Sequence, residues 1–155
     1  MKNIIGGIVC LLVALVPALG ADNSVEAKNK MLSDIGFHAQ EVQQDAETVS
    51  QHLKLKQMDP QFLKDKVNAT ADDMSKLQQL VKDCESRNFE LSEWQKKDWD
   101  LLKTNVQLVS IFYNRKKEIV LADNRQKNKS LSRAHADGVA IRAAKLQETA
   151  SRLQK

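Results

Sequence analysis

The sequence predicts an all-α protein, an antiparallel up-down-up-down four-helix bundle that follows a cleaved signal peptide. Apolar residues recur in steps of three and four along three separate stretches, the period of a single helix face. Strand signals are nearly absent: the 155 residues include two prolines and five glycines, and β-branched and aromatic residues form no alternating runs. A fourth stretch, Ser92 to Leu121, is the most apolar part of the chain after its leader and holds both tryptophans, Trp94 and Trp99.

The leader comes first. Lys2 precedes an apolar run from Ile4 to Val16, and Pro17 and the small-residue pattern Ala18-Leu19-Gly20 close it. That order is how a secretory signal peptide reads, with cleavage expected after Gly20. The run is short for a membrane span. Residues 1–20 are therefore expected to be removed, leaving 21–155 as one bundle domain in an exported, periplasmic or secreted protein. Of the two cysteines, Cys10 leaves with the leader, so Cys84 has no partner in its own chain and packing must hold the fold. Cys84 falls on an apolar row, as a buried thiol does.

The first helix is expected over about 24–56. Leu32, Ile35, Ala39, Val42, Ala46, Val49 and Leu53 alternate steps of three and four, an unbroken heptad seam. Asp59-Pro60 then supplies a helix start, a capping carboxylate followed by proline at the first helical position. The second helix, about 60–84, continues the rhythm through Leu63, Val67, Thr70, Met74, Leu77, Val81 and Cys84. Ser92-x-x-Gln95 marks the start of the third, about 93–121, because hydroxyl and amide can each satisfy an orphan backbone group. On a helical wheel Leu101, Leu102, Val106, Leu108, Val109, Phe112 and Tyr113 share a face about 160° wide, which predicts contact with at least two other helices. The polar run 122–129 is a connection, and the fourth helix, about 130–154, carries Ala136, Val139, Ala143, Leu146, Ala150 and Leu153. Short connections favour antiparallel neighbours, and heptad spacing implies a left-handed twist.

Trp94-Gln95 opening the third helix, and Leu146-Gln147-Glu148-Thr149 with Leu153 in the fourth, carry a resemblance. Over residues 92–155 the chain resembles the small exported helical-bundle proteins of unassigned function found in soil bacteria. That resemblance implies a bundle and export, and it implies no activity.

Catalytic and metal chemistry find little support. Bundle metal sites use Glu-x-x-His pairs, whereas Ile35, Val49 and Ser132 stand three residues before His38, His52 and His135. No Cys-x-x-Cys-His, Gly-rich phosphate loop or nucleophile elbow occurs. The adjacent pair Asp72-Asp73 diverges by about 100° on a helix, as solvated surface does. The expectation is a protein that is not an enzyme, with no metal and no cofactor.

Three features invite a functional reading. Asp98 and Asn105 lie one heptad apart on the third helix where leucine is expected, either as an interior polar spot that orients a small ligand or as a capped aspartate and a register-setting amide. Ala134, Gly138 and Ile141 form a second stripe on the last helix, opposite its heptad row. There a glycine costing about 1 kcal/mol relative to alanine suits either close approach by another chain or simple tolerance. Finally, residues 22–114 hold 12 basic and 16 acidic side chains, whereas residues 115–155 hold 11 and 4. Arg115, Lys116, Lys117, Arg125, Lys127, Lys129 and Arg133 make a basic stretch that suits an anionic envelope surface or a solvated face. No aromatics interleave with it after Tyr113, so nucleic acid is not an expected partner. The readings that follow are a non-catalytic scaffold or protein-interaction module, including a homo-oligomer; a small-ligand carrier using the bundle interior; and a peripheral binder of anionic surfaces.

Overall fold

Four helices form where the apolar rows and capping residues call for them. The computed structural model describes residues 24–55, 59–121 and 129–155, without the side chains of 116 and 118–121. The elements are α1 (Val25–His52), α2 (Pro60–Arg87), α3 (Glu93–Leu121) and α4 (Lys129–Leu153), with no strand among the described residues. The signal-peptide reading of residues 1–20, and the basic positions Arg125 and Lys127, lie outside the described residues.

Side chains close the helix starts. Ser24 Oγ accepts the Ala27 N–H at 3.1 Å to open α1. Asp59 Oδ1 accepts from Gln61 and Phe62 at 2.9 and 3.3 Å, with Pro60 at the first helical position of α2. At α3 the Ser92 N–H donates to Gln95 Oε1 at 3.1 Å while Gln95 N–H donates to Ser92 Oγ at 3.4 Å. Two ends differ from the sequence reading. α1 stops at His52 rather than near Lys56, because Leu53 buries itself at the end of its row and tight turns follow, Lys54 N–H to Gln51 and Leu55 N–H to His52. The His52 ring stacks on Phe62, centroids 4.5 Å apart, and its Nε2 accepts the Asp59 N–H at 3.0 Å, which ties the chain reversal together. α2 runs past Cys84 to Arg87 and ends at Asn88 in the left-handed region, φ 48° and ψ 48°. Asparagine tolerates that conformation and closes helices there.

All seven residues of the first row, six in α1 and Leu53 just past its end, are buried, as are all seven of α2, from Leu63 to Cys84, and the six of α4. They meet Leu102, Val106, Val109 and Tyr113 of α3 in one core. α1 packs against α4 and α2, and α3 packs closely against α4 but thinly against α2. Cross-helix contacts run in reversed order. Cys84 Sγ lies 3.9 Å from Met31 Sδ, His38 Nδ1 is 2.9 Å from Asp73, and Lys66 Nζ is 2.7 Å from Asp45. Between α1 and α4, Gln147 donates to Gln43 at 3.0 Å and Ser50 to Asp137 at 2.5 Å. The thin α2–α3 seam is bridged by Tyr113, whose hydroxyl donates to the Val67 carbonyl at 2.7 Å, and by Gln78 with Ser110 at 2.9 Å. Asp73 is thus hydrogen-bonded across helices to His38, so of the pair Asp72-Asp73 read as solvated surface, Asp72 is exposed and Asp73 half-buried.

Cys84 is buried, and burial pushes its thiol up to about 12, with Asp83 adding to the shift. Only the thiolate attacks disulfide reagents. Cys84 should therefore resist such a reagent at pH 8 in the folded protein and react at once in denaturant; equal rates in both states would place the thiol at the surface. The unfolded chain ionises first, so this source of stability is complete below about pH 9 and falls as pH rises towards 12.

Candidate functional site

The α3 helix turns two faces to its surroundings. Leu102, Asn105, Val106, Val109 and Tyr113 face the core. Trp94, Leu101 and Leu108 recur at seven-residue intervals, and Phe112 follows one turn later, so these four share a second stripe rotated towards α4 and outward. Trp94 is 49% and Leu101 45% exposed, while Leu108 and Phe112 are half-buried. The broad face read from the wheel is therefore partly surface. Leu101 in particular does not join the core, since the neighbours of α3 cover only the arc around Leu102.

The α4 helix completes this surface. A Cβ placed on Gly138 would stand 2.9 Å from both Phe112 Cδ1 and Cε1, and the His135 ring lies 6.2 Å from that of Phe112. Asp98 and Arg152 fix the register at the other end. Together these contacts set Ile141, 59% exposed, at about the level of Leu108, and Leu131, 49% exposed, one heptad before Gly138. Ala134 is exposed as well. The close approach that Gly138 permits is thus made within the chain, by Phe112 of α3. Of the stripe read as a contact for another chain, Gly138 is half-buried against Phe112, while Ala134 and Ile141 face outward.

Both signs of charge occur around the patch, and Asp137, next to Gly138, is exposed and accepts from Ser50. Lys97, Arg115, Arg133 and Lys145 are exposed, Arg142 is half-buried, and none forms an ion pair among the described residues. The nearby carboxylates are engaged: Glu93 with Lys96 at 2.7 Å, and Glu148 with Arg152 at 2.9 Å. Of the basic stretch, Arg115, Lys117 and Arg133 are exposed, the Lys116 side chain lies outside the described residues, and Lys129 Nζ donates to the Leu55 carbonyl at the end of α1. These cations therefore do not all belong to one surface.

Asp98 and Asn105 are not brought together. Asp98 is 20% exposed, and its two oxygens accept from Arg152 Nε and Nη2 at 3.0 and 2.9 Å, a paired contact that ties α3 to α4. The bond to Asp98 raises the Arg152 pKa further above its ordinary range. Asn105 is 1% exposed, and its amide donates at 3.0 Å to the Leu101 carbonyl one turn earlier on its own helix. Leucine shares the branching of asparagine, so Asn105→Leu should raise unfolding stability by about 1 kcal/mol by removing a buried amide, read in denaturant melts. A loss of several kcal/mol would mean that the amide serves a wider polar network.

Arg152 is the residue sequence reasoning missed: it lies off the heptad row, and its partner stands 54 positions earlier. Its only local signal is Glu148 one turn before it. Among the described residues no group of three or more His, Cys, Asp or Glu is placed to hold a metal ion, and no helix is long and apolar enough to cross a membrane. No protein family, curated protein or solved structure matches this chain.

Proposed function

We propose that this chain is a non-catalytic, exported interaction module, an up-down-up-down bundle that docks a protein partner on the outer face of α3 and α4. The reversed order of contacts between each neighbouring helix pair supports the topology, and the leader pattern supports export. The apolar stripe carries the reading. Trp94, Leu101 and Ile141 are exposed and Leu108 is half-buried on a side of α3 and α4 that no helix among the described residues covers, with Phe112 filling the seam beneath them against Gly138. Contiguous apolar surface rimmed by charge marks interaction sites, and aromatic residues such as Trp94 anchor them. The rim names the partner's chemistry. Lys97, Arg115, Arg133, Arg142 and Lys145 form no ion pair among the described residues, and these cations complement an apolar ridge flanked by acidic residues.

A photocrosslinking residue in place of Leu101, in the organism's own cells, should give a discrete protein adduct. The same residue in place of the exposed Ser75 on α2 should give none, and Ile141→Glu should suppress the first adduct. Identical adducts from both positions would remove the proposal. So would binding to acidic vesicles with no protein adduct, which would instead favour a peripheral binder of anionic surfaces.

A further inference from the structure

The bundle is closed unevenly at the end where α1 starts and α4 stops. The last core layer there holds Met31, Leu32, Cys84 and Leu153, and among the described residues the 88–91 connection crosses it. Asn88 turns that connection out of α2 in the left-handed conformation, and Phe89 and Trp99 then reach back against the core without filling it. A cavity of about 200 Å³ remains, walled by Leu32, Cys84, Phe89, Leu91, Trp99 and Leu153. A cleft of about 300 Å³ adjoins it towards Ser24 and Glu90 and shares Lys28, Asn88 and Phe89 with the cavity.

Apolar and polar space are therefore joined at a lysine. Lys28 is half-buried and forms no ion pair among the described residues. Glu85, the acidic side chain on the cavity wall, is taken up by Lys103 at 3.4 Å, and Glu90 lines only the outer cleft, where it is exposed. Among the described residues the cation at the junction thus forms no ion pair, although Glu90 shares its cleft and Glu85 its cavity wall. An apolar cavity of about 150 Å³ accepts benzene, so this one suits an apolar group of roughly six to eight carbons. Ligand sites combine such an apolar wall with a few polar groups that orient the ligand.

We propose that this cavity binds a small monoanionic amphiphile, with its apolar group against Trp99 and Leu153 and its carboxylate at Lys28. The site lies at the end of the bundle, away from Asn105 and distinct from the outer α3–α4 face.

Trp99 reports occupancy directly. The chain has two tryptophans, so in Trp94→Phe the emission comes from Trp99 alone. With octanoate as probe, Trp99 emission should shift and saturate, and calorimetry on the unsubstituted protein should give the same affinity. Lys28→Gln should weaken octanoate about tenfold, the scale of one charge-assisted hydrogen bond, and leave octanol unchanged. Lys28→Arg should retain most of the affinity. The proposal is overturned if octanoate gives no saturable signal by either method, if octylammonium binds as well as octanoate, or if Lys28→Gln binds octanoate like the parent. Lys28 is half-buried and forms no ion pair among the described residues, so its substitution leaves the fold in place, and dichroism of each variant checks this.

Discussion

Leu102→Ala should lower the unfolding free energy by about 2–5 kcal/mol, whereas Leu101→Ala should change it by no more than about 0.5 kcal/mol. The two leucines are adjacent and identical in chemistry, so the contrast isolates packing. Leu102 is 0% exposed among Val106, Val109 and the rows of the other helices, and truncation leaves a cavity that close-packed neighbours fill only in part. Leu101 is 45% exposed and loses little by truncation, because water already covers much of its side chain. Denaturant melts of the two variants check both values. Comparable losses would mean that Leu101 is covered in solution, as it would be in a stable self-association. Sedimentation of the parent protein distinguishes that case, and a monomer there would leave the burial assignment itself at fault.

Gly138→Leu should destabilise the monomer by about 1–3 kcal/mol, the usual cost of overpacking. Even a Cβ at this position meets the Phe112 ring at 2.9 Å, and a leucine must displace that ring from between α3 and α4. Gly138→Ala sets a gain of about 1 kcal/mol in helix propensity against the same encounter, so its net effect should be small. The cause is open to a double-mutant test. With Phe112→Ala the leucine gains the space that the ring vacates, so the double variant should be less destabilised than the sum of the single ones by about 1 kcal/mol or more. Additive losses would assign the effect to something other than this contact. The stripe reading of the sequence expects the opposite result, a fold that tolerates the leucine and a weakened oligomer.

That opposition shows where local reasoning stops. A wheel places Gly138 off the heptad row and leaves open what lies over it; the answer is a phenylalanine 26 residues earlier in the chain. The same limit separates Leu101 from Leu102. Both fall within the broad apolar face, and only the positions of α4 and α2 decide which part of that face is covered. Asp98 has no local partner that explains an acid at a leucine position, and Arg152 supplies one from α4. Asn105 is the reverse case. Its partner is the Leu101 carbonyl one turn back, yet the sequence does not say that the amide would turn to its own helix rather than to a ligand or a neighbouring helix.

The sequence by itself determined the helical class, the buried rows of α1, α2 and α4, and the starts at Asp59-Pro60 and Ser92-x-x-Gln95. These rest on period and capping, which act over one or two turns of a single chain segment and so are written in neighbouring residues. Tertiary structure alone decided the outer α3–α4 patch, the pairing of Asp98 with Arg152, the seat of Phe112 on Gly138 and the cavity beneath the 88–91 connection. Each of these depends on how far apart the axes of packed helices stand and where a connection crosses the end of the bundle. Those distances arise from all the side chains in a layer acting together, so no short stretch of the chain records them.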